Sequence, residues 1–245
     1  MMTTLPNFKL SFSSLDCYHT CPFRFKKLYI EYKKEPASHH LFYGSVFHEL
    51  IDTIYKEEKF TTESAYELWP KLLDQEILKK KYSKITKKEF TDCKLRGEKD
   101  ILVFFNLVRR ENLLKPAIEH ECAIDGKYRQ HVMRAKIDLI IGVRGGTGIL
   151  DWKTGQPNKK TLMQLALYAA LYSRKTKRQI DWICPVYFKT NEVIYQPFDK
   201  EIQEEAGKYF SEIYEEFIND KKFLPKINRY CKNCSFKKIC GAHPK

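Results

Sequence analysis

Three cysteines crowd the C-terminal end of this 245-residue chain as Cys231-x2-Cys234-x5-Cys240, and two more, Cys17 and Cys21, stand near the other end. In a reducing compartment, cysteines clustered this tightly read as metal ligands rather than as disulfides. Four thiolates suit a zinc ion or a [4Fe–4S] cluster, and spacing alone does not choose between them. The C-terminal loop supplies three, so a fourth comes from elsewhere. Cys21 or Cys17 would close a loop of roughly two hundred residues, where the unfolded chain has most freedom to lose. A fold that satisfies this set must bring its two ends side by side. Cys93, Cys122 and Cys184 stand singly in partly apolar settings and read as small buried hydrophobes.

The chain carries 44 Lys and Arg against 31 Asp and Glu, a formal charge of +13. The basic residues are spread along the sequence, so no single tail explains the excess. A surplus this large in a folded domain points to a polyanionic partner, nucleic acid first. No apolar run approaches a membrane span, and the first residues lack the basic start and apolar stretch of a signal peptide. The expectation is a soluble, cytoplasmic protein, or one in the host cell if viral, with no membrane partner.

Hydrophobic periodicity predicts helices up to residue 114 and strands after it. Ser11 to Ser14 caps a short helix that Pro22 interrupts or restarts, and helices are expected over 40–58, 63–82 and 88–114. Strands are expected over 117–124 and 127–143 around an Asp125-Gly126 turn, and over 147–153 after Gly145-Gly146. A helix to about Ser173, a hairpin around Thr190-Asn191 and a helix over 200–221 complete an α/β or α+β pattern.

Alternate residues of a strand share a face, so Asp151 and Lys153 point the same way. With Gly145-Gly146 as central turn residues, Arg144 pairs with Thr147. Asp138 then falls opposite Lys153 and diagonal to Asp151, about 7–8 Å away at the backbone. Two carboxylates and a lysine on one face are costly if buried without a partner. A divalent cation such as Mg²⁺, which takes few carboxylates and keeps several waters, removes that cost. Glu119 and Glu121 precede this pair, and one of them is a further candidate to line the site. His48 sits on a predicted helix one turn after Gly44, which leaves room for close approach. Gln164 and Tyr168, at i and i+4, share the face of the helix that follows the lysine strand.

In order, Gly44-x-x-x-His48, Lys136-Ile137-Asp138-Leu139, Asp151-Trp152-Lys153-Thr154-Gly155 and Gln164-x-x-x-Tyr168 resemble the motifs of the PD-(D/E)XK nuclease superfamily, in its RecB-type branch. Ser11-Phe12-Ser13-Ser14-Leu15, Cys21-Pro22 and the final cysteines narrow the resemblance to the iron–sulfur nucleases. These are the AddB-type helicase-nucleases, the CRISPR-adaptation nucleases and related single-strand exonucleases. One position departs from the pattern: Ala135 stands where relatives usually carry glycine.

The resemblance spans residues 11–240. It implies a restriction-endonuclease-like α/β (α+β) fold, a central mixed sheet flanked by helices. A single nuclease domain over 1–245 would comprise an N-terminal helical portion (1–114), a nuclease core (115–222) and a cysteine segment (223–245). Asp138 and Asp151 would be metal ligands with the carbonyl of Trp152, and His48 a ligand or near-ligand of the same Mg²⁺ or Mn²⁺. Lys153 would be the catalytic lysine, and Gln164 and Tyr168 would position the lysine or the DNA strand. Cys21, Cys231, Cys234 and Cys240 would hold a [4Fe–4S] cluster as a staple joining the termini.

The implied activity is metal-dependent hydrolysis of DNA, from single-stranded ends, in recombination, repair or DNA processing. Tyr18, Phe23, Phe25, Tyr29 and Tyr43 are candidates to stack bases. Two other readings share the charge and the cysteines. One is a non-catalytic nucleic-acid-binding module stapled by a metal, which has no need of a complete Asp138, Asp151 and Lys153. The other is a nuclease subunit of a CRISPR-adaptation or helicase-nuclease assembly. No G-x-x-x-x-G-K-[ST] motif is present, so any helicase partner is a separate protein.

Overall fold

A computed structural model describes residues 8–114 and 117–242, without the side chains of residues 120 and 121. The chain opens with a short strand β1 (Leu10–Ser11), then helices α1 (Phe12–Thr20), α2 (Pro22–Phe25), α3 (His39–Lys56), α4 (Thr62–Ile77) and α5 (Lys87–Arg110). Strands β2 (Glu119–Tyr128), β3 (His131–Val143) and β4 (Gly146–Lys153) follow. Helix α6 (Lys159–Thr176) leads to β5 (Trp182–Tyr187), β6 (Glu192–Val193), β7 (Gln196–Pro197) and helix α7 (Lys200–Asn219). Capping residues fix the helix starts by accepting orphan N–H groups. Ser11 and Ser14 form a reciprocal box before α1, Thr86 and Glu89 another before α5, and Asn158 caps α6.

Strand β3 is the spine of a mixed sheet. β2 and β4 run antiparallel to it, and β1 lies parallel against its start, with Leu10 opposite Met133. β5 joins β4 in parallel through the α6 crossover, and β6 and β7 pair antiparallel with β5. Two cores lie on the two sides. Ile149 and Ile183 belong to one with α1, α6 and α7; Leu150, Trp152, Cys184 and Val186 belong to the other with α3, α4 and α5. β3 serves both. Met133, Ala135 and Ile137 lie in the first core, and Leu139, Ile141 and Val143 in the second, although all share one parity. A 13-residue strand accumulates enough twist to change layers, and Asp138 sits at the changeover.

The ends of the chain meet. Tyr18 Oη donates to the Glu216 carbonyl at 3.0 Å, and Asn228 Nδ2 donates to the Thr20 carbonyl at 3.0 Å.

The expected helices are present, with α4 stopping at Ile77, before a separate turn over Lys80–Tyr82. Two turn assignments are corrected. Asp125-Gly126 lies inside β2, opposite Arg134 and Met133, and the chain reverses at Arg129-Gln130, where Arg129 takes a positive φ of 50°. Gly126 serves packing instead: a Cβ there would stand 2.8 Å from Leu171. The β3–β4 turn is centred on Arg144-Gly145, with φ of 56° and 75°, so Val143 pairs with Gly146. A Cβ on Gly146 would meet Asp181 at 2.7 Å, so the second glycine serves the first strand position. The register therefore differs by two residues from expectation and runs Ile140 to Ile149 and Leu139 to Leu150, which aligns Asp138 with Asp151 rather than with Lys153. A shift of two leaves every side chain on the face expected for it.

Candidate functional site

Asp138, Asp151 and Lys153 come together where β3 and β4 end their pairing. Asp138 Oδ2 accepts from the Trp152 N–H at 2.9 Å and lies 3.4 Å from His48 Nδ1, which α3 delivers from the opposite layer. Lys153 Nζ lies 2.5 Å from Asp151 Oδ2 and donates to Gln164 Oε1 at 3.3 Å; Gln164 Nε2 donates to Tyr168 Oη at 3.1 Å. All six side chains thus form two linked groups, His48–Asp138 and Asp151–Lys153–Gln164–Tyr168. The Trp152 ring points away into the second core, stacked near Tyr55 and Phe188.

Burial sets the electrostatics. It pushes the Asp151 carboxyl up, and the charge of Asp138 adds to this, beyond what Lys153 offsets. Burial also opposes ionisation of Asp138, but His48 and the Trp152 N–H outweigh it and hold that carboxyl below its usual value. Burial disfavours the Lys153 ammonium, yet Asp151 and Asp138 raise its pKa overall. Asp151 Oδ2 is buried without a hydrogen bond of good geometry, its contact with Lys153 being an ion pair only. Among the described residues no three His, Cys, Asp or Glu side chains are arranged to hold a metal ion by themselves. A site offering two carboxylates remains open to Mg²⁺, which is usually bound by one or two carboxylates together with waters and substrate phosphates.

A profile of the PD-(D/E)XK nuclease superfamily matches residues 9–241. The chain belongs to the PD-(D/E)XK nuclease superfamily. The crystal structure of a candidate exonuclease from Eubacterium rectale superposes with a TM-score of 0.59 at 14% identity, covering 100% of this chain and 96% of that one. At that identity the likeness speaks for the fold. A second solved structure, SSO0001, aligns over 66% of this chain and 79% of that one at 19% identity, with a TM-score of 0.34. No curated protein matches the chain. Among the described residues no helix of this nuclease is long and apolar enough to cross a membrane.

Cys21, Cys231, Cys234 and Cys240 all line one cavity of the nuclease, beside Arg24. Cys17 does not line it. Its thiol is buried, approached by Arg24 Nη1 at 3.8 Å, and burial pushes it up to about 11. That environment favours the neutral thiol over a thiolate ligand.

Other expectations change. Tyr18, Phe25 and Tyr43 are core residues, 3%, 0% and 1% exposed, and cannot stack bases. Tyr29 packs on Phe8 and Phe25. Phe23 lies at the cysteine cavity with Lys27 over its ring. Glu119 is held by Tyr172 and Arg178, away from the acidic pair, and the Glu121 side chain lies outside the described residues. Gly44 lies against the site, but a Cβ there would make an ordinary 3.4 Å contact with Thr154 Oγ1.

Sequence reasoning missed Asp52, which lines a small cavity with His48, Asp138 and Trp152. Its i, i+4 spacing from His48 was the available signal. It also missed Arg96, whose pairing with Asp100 looks in sequence like any helical i, i+4 ion pair.

Proposed function

We propose that this nuclease hydrolyses DNA phosphodiester bonds with Mg²⁺ or Mn²⁺, working as an exonuclease from single-stranded ends, and that it belongs to the RecB-type, iron–sulfur branch. The observation that carries the reading is the meeting of Asp138, Asp151 and Lys153 from two adjoining strands, with His48 brought to them by a helix of the other layer. A non-catalytic binding module has no use for that convergence.

Superfamily members typically use divalent metals. Asp138, Asp151 and the Trp152 carbonyl would hold the ion here, with His48 as ligand or as partner of Asp138. Asp151 Oδ2, buried and ion-paired with Lys153 but without a hydrogen bond of good geometry, is what supports the fit. Such an ion, when bound, lowers the pKa of a coordinated water and offsets charge on a phosphoryl oxygen. Lys153 remains an ammonium and contributes a fixed positive charge at the reacting phosphate. Gln164, anchored by Tyr168, orients that ammonium. His48 keeps Asp138 ionised.

The DNA assignment rests on the net charge of +13 and on the cysteine end of the chain. From Lys221 to Cys240 the sequence holds Lys221, Lys222, Lys226, Arg229, Lys232, Lys237 and Lys238 and no acidic residue. Preference for ends is supported by the structural neighbour described as a candidate exonuclease. Cys21, Cys231, Cys234 and Cys240 would hold a [4Fe–4S] cluster. They share one cavity, and the choice of a cluster rests on the resemblance of the cysteine spacing to the iron–sulfur nucleases.

The test is digestion of end-labelled single-stranded, double-stranded and circular DNA with and without Mg²⁺. Loss of label from linear single strands alone is expected. Cutting of circles removes the exonuclease reading, and no magnesium-dependent cutting of any substrate removes the nuclease mechanism.

A further inference from the structure

Arg96 belongs to α5, outside every motif of the nuclease site, yet its side chain reaches that site. Nη2 donates to the Thr154 carbonyl at 2.6 Å, and Nε donates to Asp100 Oδ2 at 3.2 Å. The guanidinium lies 4.1 Å from the centre of the Tyr43 ring. Tyr43 Oη donates to the same Asp100 oxygen at 2.5 Å. Asp100 is 9% exposed and Tyr43 1% exposed, so this is an interior network joining α3 to α5.

Apolar side chains would pack two helices together as well as a buried ion pair does, and often better. An apolar group cannot hold a carbonyl. Thr154 is the first residue beyond β4, where the sheet ladder stops supporting the chain. On one side the Phe188 N–H fixes the Lys153 carbonyl at 3.0 Å. Arg96 supplies the next bond, one residue on, from the other layer. A planar guanidinium suits this task because its fork serves two acceptors while its face stacks on an aromatic ring. Asp100 and Tyr43 hold the guanidinium, and the guanidinium holds the strand end.

We propose that Arg96, braced by Asp100 and Tyr43, is a positioning residue for Lys153: by pinning the Thr154 carbonyl it keeps the ammonium between Asp151 and Gln164. The proposal rests on the reading of Lys153 as the catalytic lysine.

The experiment compares the full-length wild type with Arg96→Lys, Arg96→Gln and the double variant Arg96→Gln/Asp100→Asn. Removing Arg96 alone leaves Asp100 as an uncompensated buried charge and endangers the fold; the double variant removes both charges and is the safeguard. Three quantities are read: the single-turnover cleavage rate, the DNA affinity, and the acylation rate of Lys153 by an amine reagent, followed by mass spectrometry.

Displacing a reacting group by about 1 Å slows a reaction by about a hundredfold, so a loss of about tenfold to a hundredfold in rate is expected, with DNA affinity unchanged. Arg96→Lys shares the loss, because one ammonium cannot span Asp100 and Thr154. Lys153 acylation changes in the same variants while that of surface lysines does not. A folded double variant with wild-type cleavage and wild-type Lys153 acylation overturns the proposal. If the wild type does not cleave DNA, the nuclease mechanism has failed instead, and Lys153 acylation alone then decides the role of Arg96.

Discussion

Lys153 and Gln164 are joined by a 3.3 Å hydrogen bond that crosses from the end of β4 to the first turns of α6. With Asp151 Oδ2 2.5 Å from the same ammonium, the lysine is held from two elements rather than waving in solvent. Burial works against its charge, and the neighbouring Asp151 and Asp138 carboxylates outweigh it and raise its pKa.

Lys153→Ala and Asp151→Ala are therefore expected to lower cleavage by about a thousandfold, the scale seen when a fixed stabilising charge or donor is removed from a reacting centre. DNA binding in a gel-shift assay is expected to survive both changes. Full-rate cleavage by either variant rules out this site.

His48→Ala removes the imidazole beside Asp138. Loss of a partner that orients a metal-holding carboxylate weakens metal affinity by about 10–100-fold. The Mg²⁺ concentration for half-maximal cleavage is expected to rise by that factor, with activity recovering at high Mg²⁺. A metal titration with an unchanged midpoint excludes His48 from the metal site. Chelation of the wild type is expected to abolish cleavage.

If the proposed cluster is present, Cys234→Ala is expected to lower soluble yield and to bleach any brown colour and visible absorbance, whereas Cys17→Ser leaves both as in the wild type. Cys234 lines the shared cavity and Cys17 does not. A colourless, stable wild type containing zinc would replace the cluster by a single ion.

Gly97→Ala places a Cβ 2.0 Å from the Trp69 ring, between α4 and α5. Overpacking of this kind costs about 1–3 kcal/mol, which for a chain of this size lowers the melting temperature by about 2–4 °C per kcal/mol. A thermal melt unchanged by the substitution shows that the two helices separate freely there.

Asp125 provides a pH effect remote from the site. Hydrogen bonds from Arg134 and then Lys9 hold its carboxyl well below the usual aspartate value. A folded-state pKa below the unfolded one means the unfolded chain binds more protons, so this contribution is full above the ordinary value of about 3.9 and is lost as pH falls through the folded one. The partners are substantially exposed, so the effect is small. The melting temperatures of wild type and Asp125→Asn are expected to differ at about pH 6 and to converge in acid, below about pH 4. A gap that widens in acid contradicts the assignment.

Much of the fold was legible because it is written in local signals. Ser11 and Ser14 cap α1 where the sequence places them, and the switch from helical to strand periodicity falls between α5 and β2. The clustering of the candidate site residues was legible because they sit in short spaced motifs, and strand parity survives a two-residue error in register. The errors have one kind of cause. Asp125-Gly126 and Gly145-Gly146 were read as turns from local preference, but Gly126 and Gly146 answer to Leu171 and Asp181, partners distant in sequence. Tyr18, Phe25 and Tyr43 looked available to a ligand because aromatic residues near basic ones do not reveal which layer covers them. Arg96 was invisible for the same reason, since its acceptor at Thr154 belongs to another layer.

The hydroxyl of Tyr18 finds its acceptor at Glu216, and the carbonyl of Thr20 finds its donor at Asn228. A chain leaving the ribosome makes the first of each pair about two hundred residues before the second, so the layer built on α1 waits, half-formed, until α7 and the segment after it have been made. Until then Phe12 and Tyr18 of α1 lack Phe210 and Phe217 of α7, the rings that cover them in the folded protein.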